Sequence, residues 1–171
     1  ALYRAADAGV KIDLLVRGIC CLIPARPDET RHLTVRSVVD RFLEHSRIWY
    51  FENGCRPQVF VASADWMPRN FFRRIEVAFP VEDGVLVDRI AREILGVSMS
   101  DNVKARILQS DGTYRRLSPG PDEAARRSQT HFMTLSEESD RPRPQKRQRG
   151  RWLPEMRTAP RPPEMGPRKK R

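Results

Sequence analysis

The 171-residue sequence predicts an α/β domain, with a mixed sheet flanked by helices, followed by a disordered carboxy-terminal tail. Three observations carry that prediction. Short β-branched and aromatic runs alternate with segments of helical periodicity. Turn chemistry at Asn53-Gly54 and Asp111-Gly112 punctuates two hairpins. Charge is partitioned: residues 1–140 hold 20 basic and 20 acidic side chains, whereas residues 141–171 hold 12 basic side chains against Glu155 and Glu164. The net charge of +10 therefore belongs to the tail. With 7 of the 14 prolines and few large apolar residues, the tail cannot bury enough surface to offset its chain entropy. Two parts follow, a domain over 1–140 and a basic, proline-rich tail over 141–171.

Residues 1–8 carry Leu2, Ala5 and Ala6 at helical spacing, and Gly9 suits the left-handed turn that ends a helix. Residues 11–16 (KIDLLV) alternate and then become continuously apolar, as a buried strand of a largely parallel sheet would. Arg17 would stand at the carboxyl end of that strand, where ligands bind in open sheets. Its planar fork suits a phosphate or carboxylate, or else a buried acid. Residues 22–34 form a proline-containing loop in which His32 has no assigned role. Residues 35–44 (VRSVVDRFLE) present Val35, Val38, Val39, Phe42 and Leu43 at a helical period, which predicts a short helix ending before His45.

Residues 47–51 (RIWYF) and 58–62 (QVFVA) read as a hairpin joined by Glu52-Asn53-Gly54. His45 then lies at one end of the pair and Ser63-Ala64-Asp65 beside it. Residues 66–70 are expected to turn. Residues 73–79 (RRIEVAF) are expected to form a strand with Arg74 and Glu76 on one side. Residues 83–95 are the clearest helix, with Asp83 as its N-cap. Residues 103–108 and 114–117 make the second hairpin, and a short helix is expected within 122–135. Trp49 and Trp66 are expected in the core.

Cys20, Cys21 and Cys55 show no metal-ligand spacing, and their apolar flanks predict buried thiols in a reducing cytoplasm. No apolar run reaches the ~18 residues a membrane helix needs, and no signal peptide is visible. A cytoplasmic location is expected, with membrane association left open. Opening on Ala1 inside a helical pattern, the chain reads as a fragment of something longer. The tail suits a polyanion such as nucleic acid, anionic lipid or polyphosphate, or is simply a solvated extension.

The run from His45 to Glu52, H-S-R-I-W-Y-F-E, spaces a histidine, a base and an acid as phospholipase D-type sites do in H-x-K-x-x-x-x-D. Residues 62–65 (ASAD) stand where those sites carry a later G-S-x-N-like segment. An imidazole at that spacing can donate or accept a proton at a phosphoryl oxygen, and neighbouring cations offset phosphate charge. Residues 14–22 (LLVRGICCL), 41–54 (RFLEHSRIWYFENG), 62–70 (ASADWMPRN) and 73–77 (RRIEV) resemble, in this order, the carboxy-terminal part of the long-chain-synthesising bacterial polyphosphate kinases. The likeness covers residues 1–118. Asp40 stands where that family often has glycine, and Phe71-Phe72 replaces a more polar pair.

The resemblance implies a phospholipase D-like half and reversible transfer of the terminal phosphate of ATP to polyphosphate through a phosphohistidine. It makes His45 the assisting catalytic and phosphate-binding histidine and Arg17 a nucleotide-phosphate ligand. The phosphorylated histidine, the adenine contacts and the protein ligands of Mg then belong to a preceding half of the same enzyme. ATP or ADP, polyphosphate, that preceding part and a homo-oligomeric partner are the partners implied. Arg47 and Arg74 would line the polyphosphate path or serve as ordinary ion-paired arginines. Glu52, Asp65 and Glu76 would orient His45 and the arginines, or serve only turns and strand pairing. Two other functions fit the residues: a dimeric phosphodiesterase of the phospholipase D type, and a non-catalytic polyanion-binding module.

Overall fold

A computed structural model of the chain describes residues 1–24 and 32–139. The predicted tail, and most of the proline-containing loop, lie outside those residues. The described elements run α1 (Leu2–Asp7), β1 (Ile12–Leu15), β2 (Leu33–Val38), β3 (Ile48–Phe51), β4 (Gln58–Ala62), α2 (Pro68–Arg73), β5 (Ala78–Val81), α3 (Gly84–Arg89), a π-helical stretch (Ile90–Gly96), α4 (Val97–Met99), β6 (Ala105–Leu108), β7 (Tyr114–Arg116) and α5 (Ser128–Ser139). The α/β class is as the sequence predicts.

The strands divide into two sheets. The first has the order β1-β2-β6-β7, with β1 parallel to β2 and the remaining pairs antiparallel, so it is mixed. The second, β3-β4-β5, is antiparallel throughout. β1 is an edge strand with alternating half-buried and exposed residues, which corrects the expectation of a buried strand in a largely parallel sheet.

Residues 33–38 form a strand that takes up the end of the expected loop and the first four residues of the helix expected over 35–44. Val35 and Val38 satisfy a helical period, but β1 and β6 offer backbone partners on both sides, and Leu33, Val35, Ser37 and Val38 are all buried. Residues 39–47 form no regular element. Pro68 opens α2 where only a turn was expected, because proline's fixed φ suits a first helical position and its missing N–H costs nothing there. That helix takes up Arg73, so β5 begins only at Ala78, and Arg74 and Glu76 lie in the linker rather than on a strand.

Other expectations hold. Gly9 ends α1 with φ of +89°, and its N–H and that of Val10 bond back to Ala6 and Ala5. Asn53, Gly54 and Cys55 turn the first hairpin with φ of +48°, +60° and +63°. Asp83 caps α3 by accepting the N–H groups of Val85 and Leu86 at 2.8 and 3.1 Å. The second hairpin pairs Leu108 with Tyr114 across Gly112.

Among the described residues the buried core is small: Ala6, Leu33, Val35, Val38, Ala105 and Leu108 in and beside the first sheet, and Val59 and Ala64 in and beside the second. Large apolar side chains lie open, among them Ile75 (100% exposed), Ile19 (90%), Phe72 (84%) and Val85 (78%). Trp66 is 64% exposed and meets the half-buried Trp49 edge-to-face at 6.0 Å, which corrects its placement in the core. Cys21 and Cys55 are exposed and Cys20 is half-buried, so the thiols are not the buried set that their apolar neighbours suggested. No helix among the described residues is long and apolar enough to cross a membrane.

Candidate functional site

The site forms where the first hairpin meets the end of β1. In the register of β3 against β4, Ile48 faces Val61 and the Ala62 N–H donates to the Arg47 carbonyl at 3.0 Å. The chain entering β3 and the chain leaving β4 are therefore neighbours, and this brings Asp65 to Arg47. The Arg47 guanidinium donates through Nε to Asp65 Oδ1 at 2.9 Å and pairs with the same oxygen through Nη2 at 2.9 Å. Its remaining nitrogen, Nη1, lies 3.0 and 3.2 Å from the two ring nitrogens of His45 and donates to the His45 carbonyl at 3.1 Å. Guanidinium groups only donate, so the imidazole nitrogen that Arg47 engages is acting as an acceptor.

The result is a relay of carboxylate, guanidinium and imidazole. Asp65 holds Arg47, and Arg47 holds an otherwise solvent-exposed His45. The hydrogen bond from Arg47, with the positive charges of Arg47, Arg17 and Arg69, keeps the Asp65 carboxyl below its ordinary range despite partial burial.

Arg17 arrives from the first sheet. The Val16 N–H donates to the Arg36 carbonyl at 2.8 Å, and the buried Ser37 hydroxyl donates to the Arg17 carbonyl at 3.2 Å, so the backbone on both sides of this residue is fixed by β2. The Arg17 side chain donates through Nη1 to the carbonyl of Glu44, the residue before His45. Arg17 and His45, predicted from separate stretches, are thus brought together in space. The guanidinium edge that does not face Glu44 sits on an exposed residue.

The other candidates divide. Glu76 accepts from the Ser63 hydroxyl at 2.5 Å and the Asn70 amide at 2.6 Å, and the Val77 N–H donates to Ser63 Oγ at 3.0 Å. Those hydrogen bonds lower the Glu76 carboxyl and tie the segment after β4 to the linker before β5. Asn70 is buried, and its Oδ1 has no partner among the described residues. Arg74 is exposed on that linker. Glu52 is at the hairpin's turn, the length of β3 away from His45, and accepts from the Tyr50 hydroxyl at 2.6 Å. The acid of the H-x-K-x-x-x-x-D spacing is therefore not brought to the imidazole, and Asp65 is the carboxylate that reaches it through Arg47. Among the described residues no group of three or more His, Cys, Asp or Glu side chains could hold a metal ion.

Sequence reasoning missed the residues that brace this site from behind. Asp40, with a side chain only 2% exposed, accepts both arms of Arg127, Nε at 2.7 Å and Nη2 at 2.6 Å. These bonds, with the charges of Arg127 and Lys104, hold its carboxyl low. Asp101 is buried and accepts the N–H groups of Val103, Lys104, Ala105 and Ser128 and the Ser128 hydroxyl. Burial alone would raise its carboxyl, but the donors from Ser128, Lys104 and Val103 outweigh burial and lower it. Only Asp40 was flagged by the sequence, as a departure from the family's usual glycine. No spacing rule links residues 87 positions apart.

The family model described as polyphosphate kinase C-terminal domain 2 matches residues 1–129. The chain belongs to the polyphosphate kinase family. It is similar to the polyphosphate kinase of Paraburkholderia phytofirmans, 56% identical over 119 residues, which is 70% of this chain and 17% of that protein. It is also similar to that of Pseudomonas aeruginosa, 49% identical over 133 residues, or 78% of this chain and 19% of the other. Among solved structures it resembles polyphosphate kinase from Porphyromonas gingivalis, with a TM-score of 0.72 and 45% identity over 81% of this chain and 21% of that one. The chain thus spans about a fifth of the length of the family members it matches.

Proposed function

We propose that this chain acts as the carboxy-terminal catalytic subdomain of a polyphosphate kinase, a phospholipase D-like half serving reversible transfer of the terminal phosphate of ATP to polyphosphate. The observation that carries the reading is the convergence of Arg17, Arg47 and His45, with Asp65 behind them. Phosphoryl transfer asks little covalent chemistry of a protein and much positioning and charge stabilisation. An exposed imidazole beside two guanidiniums meets that demand. His45 donates or accepts a proton at a phosphoryl oxygen, or contacts the transferring group directly, while Arg17 binds the β- and γ-phosphates through its free edge. Arg47 is committed to Asp65 and His45, so it orients the imidazole and adds positive charge rather than reaching for substrate.

Mg would accompany ATP in this reaction. Without a carboxylate or histidine cluster among the described residues to receive it, the reading leaves its protein ligands to the rest of the enzyme. The partner called for is that remainder, which also carries the histidine to be phosphorylated. The exposed Ile75, Phe72 and Val85 support such a partner, since apolar surface of this kind is ordinarily covered by protein. A cytoplasmic location is part of the same reading.

Two measurements test it. The 171-residue chain alone should form no polymer from ATP, and ATP-dependent synthesis by it would overturn the half-site view. In a whole enzyme carrying this segment in place of the matching part of the Paraburkholderia phytofirmans relative, His45→Ala should lower turnover by roughly 100-fold or more, the scale of a positioned acid or base. Undiminished turnover would remove His45 from the chemistry. Hydrolysis of a phosphodiester without ATP would favour the phosphodiesterase reading instead.

A further inference from the structure

The imidazole of His45 stands on residues 39–47, a stretch without regular structure, and such a stretch cannot hold a side chain to the sub-ångström placement that phosphoryl transfer needs. Its rigidity must come from elsewhere. The Gln129 side chain, 4% exposed in the first turn of α5, meets the backbone of this stretch at both polar atoms of one residue. The Phe42 N–H donates to Gln129 Oε1 at 2.8 Å, and Gln129 Nε2 donates to the Phe42 carbonyl at 2.8 Å. The same Nε2 donates to Glu44 Oε1 at 2.8 Å. Two residues earlier on the same helix approach, Arg127 grips Asp40 with two parallel bonds. The amide and the guanidinium thus seize the loop at 40, 42 and 44, just before His45. From beyond the end of β1, Arg17 donates to the Glu44 carbonyl.

We propose that Gln129 and Arg127 are positioning residues for His45, a clamp by which α5 sets where the imidazole stands. This rests on the catalytic reading given above. The chemistry of the clamp is specific. An amide offers one acceptor and two donors, and all the donors and acceptors it faces are matched. A carboxylate in its place would keep the acceptor for the Phe42 N–H and lose both donors. It would also set a second negative charge against Glu44, where the pair would share a proton only as the pH falls.

The test uses Gln129→Glu, which preserves shape, and Arg127→Lys, which preserves charge but loses the second arm. In the 171-residue chain, hydrogen exchange at the Phe42 amide should accelerate about tenfold or more in Gln129→Ala, while the Val59 amide of β4 stays protected. In the whole enzyme carrying this segment, Gln129→Glu should lower kcat about ten- to a hundredfold at pH 8 with the KM for ATP changed less than about twofold. Its turnover should recover in part at acid pH relative to the unsubstituted enzyme measured at the same pH, because a shared proton restores one donor between the two carboxyls. Arg127→Lys should act in the same direction and less. A structural role alone would lower stability and leave the kcat of the folded enzyme unchanged. Undiminished turnover in Gln129→Glu, alongside the expected loss in His45→Ala, would overturn the clamp and spare the catalytic reading. Undiminished turnover in His45→Ala would overturn both.

Discussion

Replacing Asp101 with asparagine isolates one charge at the join between the first sheet and α5. Oδ1 accepts from the N–H groups of Val103, Lys104 and Ala105 at 3.0, 2.6 and 3.1 Å, and Oδ2 accepts from the Ser128 N–H and hydroxyl at 2.8 and 2.9 Å. An amide keeps one acceptor and turns two donors towards donors. Aimed at Ser128, it forfeits two bonds, of which the hydroxyl recovers one by rotating to accept; aimed the other way, it forfeits three. The first arrangement leaves the Ser128 N–H unsatisfied in a buried place, at a cost of about 1–3 kcal/mol. Loss of charge assistance in the three remaining bonds adds about 1 kcal/mol. Asp101→Asn should therefore destabilise the chain by about 3 kcal/mol, lowering Tm by about 6–12 °C for a chain of this size.

Urea unfolding of the 171-residue chain at pH 7, followed by circular dichroism, measures the difference. Acid supplies a second check. The folded-state Asp101 carboxyl lies below its ordinary value, so its contribution is complete above about pH 4–5 and is lost as the pH falls through the lowered folded value. The gap between wild type and Asp101→Asn should close in that window. A difference below about 1 kcal/mol at pH 7, or a gap indifferent to pH, would refute the hydrogen-bond account.

Two further outcomes follow from the same physics. Asp65→Asn should cost about 1 kcal/mol at neutral pH, because Arg47 loses an ionic partner in a partly exposed place, and this gap too should begin to shrink below about pH 4 and be lost only as the pH falls through the lowered folded value of Asp65; urea midpoints followed from pH 7 down to about pH 2 decide it. Asp83→Ala removes the acceptor for the Val85 and Leu86 N–H groups and should destabilise by about 1 kcal/mol, measured as a change in urea midpoint with unchanged slope.

Much of the site could be read from the sequence where local chemistry decides the structure. Asn53-Gly54 tolerates positive φ, so the hairpin and the neighbouring of its two ends followed, and with them the approach of Asp65 to Arg47. Asp83 before an apolar run announced its helix. The placement of Arg17 followed from where a strand must end.

The failures share a cause. The apolar run that opens at Val35 is too short for periodicity to separate helix from strand, and the partners that decide the matter, β1 and β6, come from well before it and well after it in the sequence. Pro68 was a usable signal for α2 and was read only as a turn. Trp66 and the cysteines looked internal because apolar composition predicts burial only when the covering surface is part of the same chain. The clamp at Gln129 had no signal at all, since a side-chain amide meeting a backbone 87 residues away leaves no local pattern.

The helical run from Gly84 to Met99 changes gauge midway, with a π stretch at Ile90–Gly96 between two α segments. Asp83 caps the run's own first turn, and Asp101, two residues past the last, is locked to Ser128. With its far end held in this way the run cannot rotate freely there, and its wider winding lies in the middle. Each residue added to an α-helix turns everything beyond it by about 100°. The wide stretch is thus where this chain can absorb a change of length. A one-residue deletion within 90–96 would tighten the winding to α and keep Asp101 in phase with Ser128, whereas the same deletion in α3 or α4 would swing Asp101 away from Ser128; urea midpoints of the two deletions should differ accordingly.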